Sequence, residues 1–82
     1  MISPKIVKIR KKLDQLDLKL LLSIKKRTNL VNQIVKLKKS RKEVVDRKRI
    51  KFILEKIKKK SVKLKIDPEI TLGIWKGMIN SF

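Results

Sequence analysis

From Ile6 to Leu37 apolar residues recur every three and four positions, and no Gly or Pro interrupts them after Pro4. This pattern predicts one helix from about Pro4 to about Lys39, roughly 50 Å long at ~1.5 Å per residue. Two series spaced seven residues apart form its seam. One is Ile6, Leu13, Leu20, Arg27, Ile34; the other is Ile9, Leu16, Ser23, Leu30, Leu37. Few lone globular domains contain a helix this long, so the pattern implies a coiled-coil-like or intertwined partner. Ser3 suits the N-cap and Pro4 the first turn.

Arg27 occupies a place in the first series where a leucine belongs. A guanidinium stays charged at any ordinary pH, and burying it unpaired is very costly. The helix therefore has either a defect facing its core or a pocket that expects an anion. Ser23, which interrupts the second series, reads as a small packing residue.

The rest of the chain continues in helices. Ser40 to Val45 is the expected connection, and Asp46 is placed to cap a second helix running to about Lys65. Its apolar positions are Ile50, Ile53, Leu54, Ile57 and Leu64. Asp67, Pro68 and Glu69 read as N-cap, first-turn proline and first-turn acid of a third helix, about 67–82. Ile70, Ile74, Trp75, Met78, Ile79 and Phe82 are expected on one face of it. Gly73 and Gly77, four apart, suggest a close helix contact. With no alternating strand pattern, the fold class is all-α, with three helices per protomer in an intertwined homodimer.

The 82 residues make one small domain, 1–82, with 41% hydrophobic residues but only three aromatics, Phe52, Trp75 and Phe82. Such a chain buries a modest core alone, so its helices are expected to share a core with a second chain. There is no Cys and no His, which excludes disulfides, thiolate chemistry, zinc sites and histidine acid–base catalysis. No cofactor is expected. The longest apolar run, Leu20 to Leu22, is far too short to span a membrane, and the first twelve residues lack the apolar core of a secretory signal. A cytoplasmic location is expected.

The net charge is +18, from 25 Lys and Arg against seven acids. Only five of the cations are Arg: Arg10, Arg27, Arg41, Arg47 and Arg49. Their planar forks bind carboxylates bidentately, which Lys cannot copy. Lys38 lies eleven residues after Arg27 and only roughly 20° round the helix, so the two share a face about 16 Å apart. That spacing brackets a small molecule with negative charge at both ends. Arg10 is about 25 Å from Arg27 along the axis and roughly 100° round it, so an equivalent pocket served by Arg10 must belong to a second chain. Folding the second helix back would bring Arg49 and the backbone around Asp46 toward the Lys38 end of the first.

Several segments together resemble the all-helical chorismate mutases: Ile9 to Asp17, then Leu20, Leu21, Arg27 and Lys38; Asp46 to Arg49 after a short loop; and Leu64 to Glu69 leading into Ile74 and Trp75. The resemblance runs in order through essentially the whole chain. It implies a homodimer of three-helix protomers whose sites are shared, and an isomerase converting chorismate to prephenate in aromatic amino-acid biosynthesis. By motif position Arg10 of one chain would hold a substrate carboxylate in the other chain's site. Arg27 would hold a carboxylate within its own protomer. Lys38 would donate to the ether oxygen and a carboxylate. Asp46 and Arg49 would line the site near the loop, and Asp17 would be structural.

Two positions depart from the family pattern. A Glu usually follows the second-helix arginine, where this chain has Ile50; the related isochorismate pyruvate lyases also carry an aliphatic residue there. The family's Ser near the end of the third helix aligns with Phe82, next to Ser81, and a Gln or Glu is expected about four residues further on. An isochorismate lyase and an aminodeoxychorismate mutase therefore stay open as alternatives on the same fold.

Plain readings exist beside these. Arg27 can lay its stem along the seam and reach solvent, and Lys38 can be one more solvated lysine. Arg41, Arg47, Lys56 and the run Lys58, Lys59, Lys60 read as solvated surface. A basic helical nucleic-acid-binding module is the competing class, and the sequence pI of about 10.7 supports it. Against it, the charge reads as spread along all three helices and no stacking aromatics alternate with it. Neither nucleic acid nor membrane is the expected partner; a small dicarboxylate is.

Overall fold

The computed structural model describes residues 3–37 and 46–81. Among these there are three helices, α1 (Pro4–Leu37), α2 (Arg47–Lys63) and α3 (Pro68–Asn80), and no strand. The expected loop from Ser40 to Val45, Lys38 and Phe82 lie outside the described residues. The chain divides into two compact units, Met1–Ser40 and Arg41–Phe82. No helix among the described residues is long and apolar enough to cross a membrane.

The start of α1 is set by Ser3, whose Oγ accepts from the Ile6 backbone N–H at 3.3 Å while its carbonyl accepts from Val7 at 3.2 Å. These bonds satisfy donors that a helix start leaves without partners. Its 34 residues carry the apolar seam, and none of them is buried. Leu16, near the middle, is 60% exposed. Toward the C-terminal end the half-buried residues are Ile24, Arg27, Thr28, Val31 and Val35, while the expected seam residues Leu30, Ile34 and Leu37 are exposed. The earlier seam residues Ile6, Ile9, Leu13 and Leu20 are exposed as well.

The second unit contains a helical hairpin. Asp46 caps α2, its Oδ1 accepting from Arg49 N–H at 3.0 Å and its carbonyl from Ile50 N–H at 3.0 Å. Lys60 and Lys63 stand in the last turn, where cations oppose the helix dipole favourably. The chain then leaves through a paired C-terminal motif. Ile66 N–H reaches back to the Ser61 carbonyl at 2.9 Å and Lys65 N–H to the Val62 carbonyl at 3.1 Å. This six-to-one and five-to-two arrangement needs a left-handed residue between its ends. Lys65 supplies it at φ 60°, a conformation that costs a side chain with a Cβ about 1–2 kcal/mol. Two residues later Asp67 caps α3, its Oδ1 accepting from Glu69 N–H at 3.0 Å, with Pro68 in the first turn as expected.

Helices α2 and α3 pack on each other. Their half-buried residues run the length of both: Ile50, Ile53, Leu54 and Ile57 on one side, Thr71, Leu72, Trp75, Met78 and Ile79 on the other. At the turn end lies Ser61, the one buried residue among those described, 3% exposed. Its Oγ is 2.6 Å from Thr71 Oγ1 and donates to the Ile57 carbonyl at 2.6 Å. Two hydroxyl protons serve these two short bonds: Thr71 donates to Ser61, and Ser61 to Ile57. The longer 3.3 Å approach of Thr71 Oγ1 to the Pro68 carbonyl is the weaker alternative.

Of the apolar face expected on α3, Trp75, Met78 and Ile79 are half-buried. Thr71 and Leu72 turn inward, and Ile70 and Ile74 are left 61% and 41% exposed. Gly73 and Gly77 are exposed with them. A Cβ built at either glycine would meet nothing within 4 Å among the described residues, so α2 does not supply the close contact their spacing suggested.

Candidate active site

Three of the expected site residues are brought together by one helix start. Asp46, Arg49 and Ile50 fall within a single turn, because the capping bond from Asp46 to Arg49 N–H fixes that turn. Asp46 and Arg49 are exposed and Ile50 is half-buried. Ser81, the C-cap of α3, donates from Oγ to the Gly77 carbonyl at 2.8 Å. Since the half-buried residues of α2 and α3 extend along both helices, the start of α2 and the end of α3 lie at the same, open end of the hairpin. Ser81 and the Asp46 turn therefore share that end.

The Arg49 guanidinium carbon stands 5.4 Å from the centroid of the Phe52 ring, and Lys56 Nζ stands 6.0 Å from the same centroid. These are cation–π distances, each contributing about 0.5–1 kcal/mol at an exposed position. In the sequence Phe52 stands out only as one of three aromatics. The signal that would have found this contact is spacing: Arg49 and Lys56 sit three before and four after Phe52, both neighbours on a helix surface.

Arg10 and Arg27 are on α1, and Lys38 lies outside the described residues. Arg10 is exposed and Arg27 is half-buried. Every other charged residue among those described is exposed, so Arg27 alone is drawn in from solvent. Neighbouring half-buried residues on the helix are Ile24, Thr28 and Val31, which offer it one hydroxyl and no acid. A guanidinium in such surroundings is suited to an anion arriving from elsewhere.

The charge is less evenly spread than the sequence reading held. Nine of the 17 residues of α2 are Lys or Arg and one is acidic, whereas α3 carries one Lys and one Glu. The basic character thus belongs to α1 and, more densely, to α2.

Neither a curated protein nor a solved structure matches this chain. The family model described as chorismate mutase type II matches residues 9–82, a span that contains Arg10, Arg27, Lys38, Asp46, Arg49, Ile50 and Ser81. With three helices, no strand among the described residues and a match over nearly its whole length, the chain belongs to the chorismate mutase type II family.

Proposed function

We propose that this protein is a chorismate mutase that rearranges chorismate to prephenate as a homodimer with two shared sites. The observation that carries this reading is Arg27, the one described charged residue withdrawn from solvent, on a helix whose apolar stripe is otherwise exposed. Family membership supplies the reaction class. The absence of any buried hydrophobic residue among those described supports a second copy, because a chain this short needs a core from somewhere.

In the reaction an ether C–O bond breaks while a C–C bond forms within one molecule. Electrons move round a ring and no proton is transferred, so a site without histidine or cysteine is sufficient. The protein has two tasks: to hold the compact reactive conformer and to stabilise negative charge developing on the ether oxygen. In this proposal Arg27 holds one carboxylate and Arg10 of the second copy holds the other. Lys38 faces the ether oxygen, while Asp46, Arg49, Ile50 and Ser81 line the remainder. Positioning and electrostatics of this kind reach accelerations of about 10⁶-fold, or ~8 kcal/mol.

The test is turnover of chorismate by the native chain, followed by loss of its ultraviolet absorbance with prephenate identified as product. Arg27→Ala is expected to lower kcat/KM by roughly 10²-fold or more, as loss of a positioning contact does, with helicity retained. Failure of the native chain to consume chorismate would overturn the proposal. The half-buried aliphatic Ile50 favours one second reading, elimination of pyruvate from isochorismate, and release of pyruvate from that substrate would select it.

A further inference from the structure

The outward side of α2 carries more than the mutase reading uses. Lys48, Arg49, Lys56, Lys59, Lys60 and Lys63 are all exposed and fall within roughly 120° of the helix circumference, turned away from the stripe that meets α3. From Lys48 to Lys63 the row extends about 22 Å, with a cation at nearly every turn. Phe52 lies within it, 54% exposed, its ring approached by Arg49 at 5.4 Å and Lys56 at 6.0 Å. The single acid of α2, Glu55, lies at the edge of this sector.

In the mutase reading the dicarboxylate draws on only one of these cations, Arg49. A row of this length fits a ligand with regularly repeated negative charge. An exposed aromatic ring among cations adds what a base can stack on, and stacking of that kind tolerates any base. An anionic membrane surface would also attract the charge, but it is held by an apolar face that inserts, and this sector offers one aromatic and no aliphatic run. We propose that the outward face of α2 binds single-stranded nucleic acid, its lysines tracking the phosphates and Phe52 stacking against a base.

The experiment compares two charge reversals of equal size by fluorescence anisotropy of a labelled 20-nucleotide single strand across a salt series. One variant is Lys59→Glu with Lys63→Glu on the α2 face. The other is Lys5→Glu with Lys8→Glu at the start of α1. The α2 variant is expected to bind roughly 10-fold more weakly than the α1 variant. Its slope of log affinity against log salt should fall by about 1.4, the value for two lost phosphate contacts on a single strand. Phe52→Ala is expected to weaken binding roughly 10-fold with the salt slope kept, since stacking releases no counterions. Equal losses in the two reversals would show that net charge alone attracts the strand and would overturn the proposal. So would tighter binding to vesicles of anionic phospholipid than to the strand, or no binding at all. Helicity by circular dichroism checks that each variant folds; if the Glu pair does not, Lys59→Gln with Lys63→Gln gives the same comparison with half the change in charge. Chorismate turnover should persist in both lysine variants, so this test stands apart from the mutase assay.

Discussion

The α2–α3 hairpin and α1 are held in shape by different means. In the hairpin, each junction has its own chemistry: Asp46 and Asp67 cap two helix starts, Lys65 turns the chain, and Ser61 with Thr71 joins the helices at the turn. Helix α1 has one cap at Ser3 and then 34 residues with none buried. Its apolar side chains recur as regularly as those of α2, but most remain exposed. The hairpin is thus specified locally, by hydrogen bonds that neighbours in sequence can make. Helix α1 instead carries an apolar surface that, in the proposed dimer, a second copy covers. In proteins most helical stability comes from packing of an apolar face, so α1 should respond most strongly to changes on that face.

That contrast breaks most readily at Leu16. Leu16→Asp puts a carboxylate on the α1 stripe and should cost about 3 kcal/mol or more if a second copy covers it. Sedimentation should then give a monomer, with helicity lost. A variant with wild-type stability and association would mean that the stripe stays open to solvent in solution.

The hairpin should respond to smaller, chemically defined changes. Thr71→Val removes one partner of the buried Ser61 hydroxyl but leaves its bond to the Ile57 carbonyl. A loss of about 1 kcal/mol is expected in denaturant unfolding. No loss would show that the hydroxyl pair does not hold the two helices together.

Lys65→Gly should act in the opposite direction. It relieves a left-handed residue that carries a Cβ, against the extra entropy of glycine in the unfolded chain, for a net gain of up to about 1 kcal/mol. A fall in midpoint would mean that the lysine side chain contributes something there beyond its backbone conformation.

The parts of the fold legible in the sequence were those fixed by one residue's own chemistry. Asp46 and Asp67 announced helix starts because a carboxylate beside a helix N-terminus has few other roles, and both starts are where they were expected. The exit from α2 was harder to read, since its left-handed turn is made by a lysine and no glycine marks it. On α3 the apolar face was legible but not which part of it meets α2. Hydropathy ranks Ile70 and Ile74 above Thr71, yet Thr71 meets Ser61, where two hydroxyls satisfy each other. Among the candidate site residues, Arg27 stands out as a charge in an apolar series. Phe52 beside Arg49 was not, because helix neighbours three apart were read for hydrophobic period and not for cation–π pairing.

In the proposed dimer Arg10 and Arg27 serve one site from two copies of the chain. The decisive measurement mixes Arg10→Ala chains with Arg27→Ala chains under subunit exchange. Each variant alone should be nearly inactive. Random pairing places intact Arg10 and Arg27 together in one site of each mixed dimer, so turnover of chorismate should recover to about one quarter of wild type. A mixture that exchanges subunits and stays as inactive as its parents would contradict the claim.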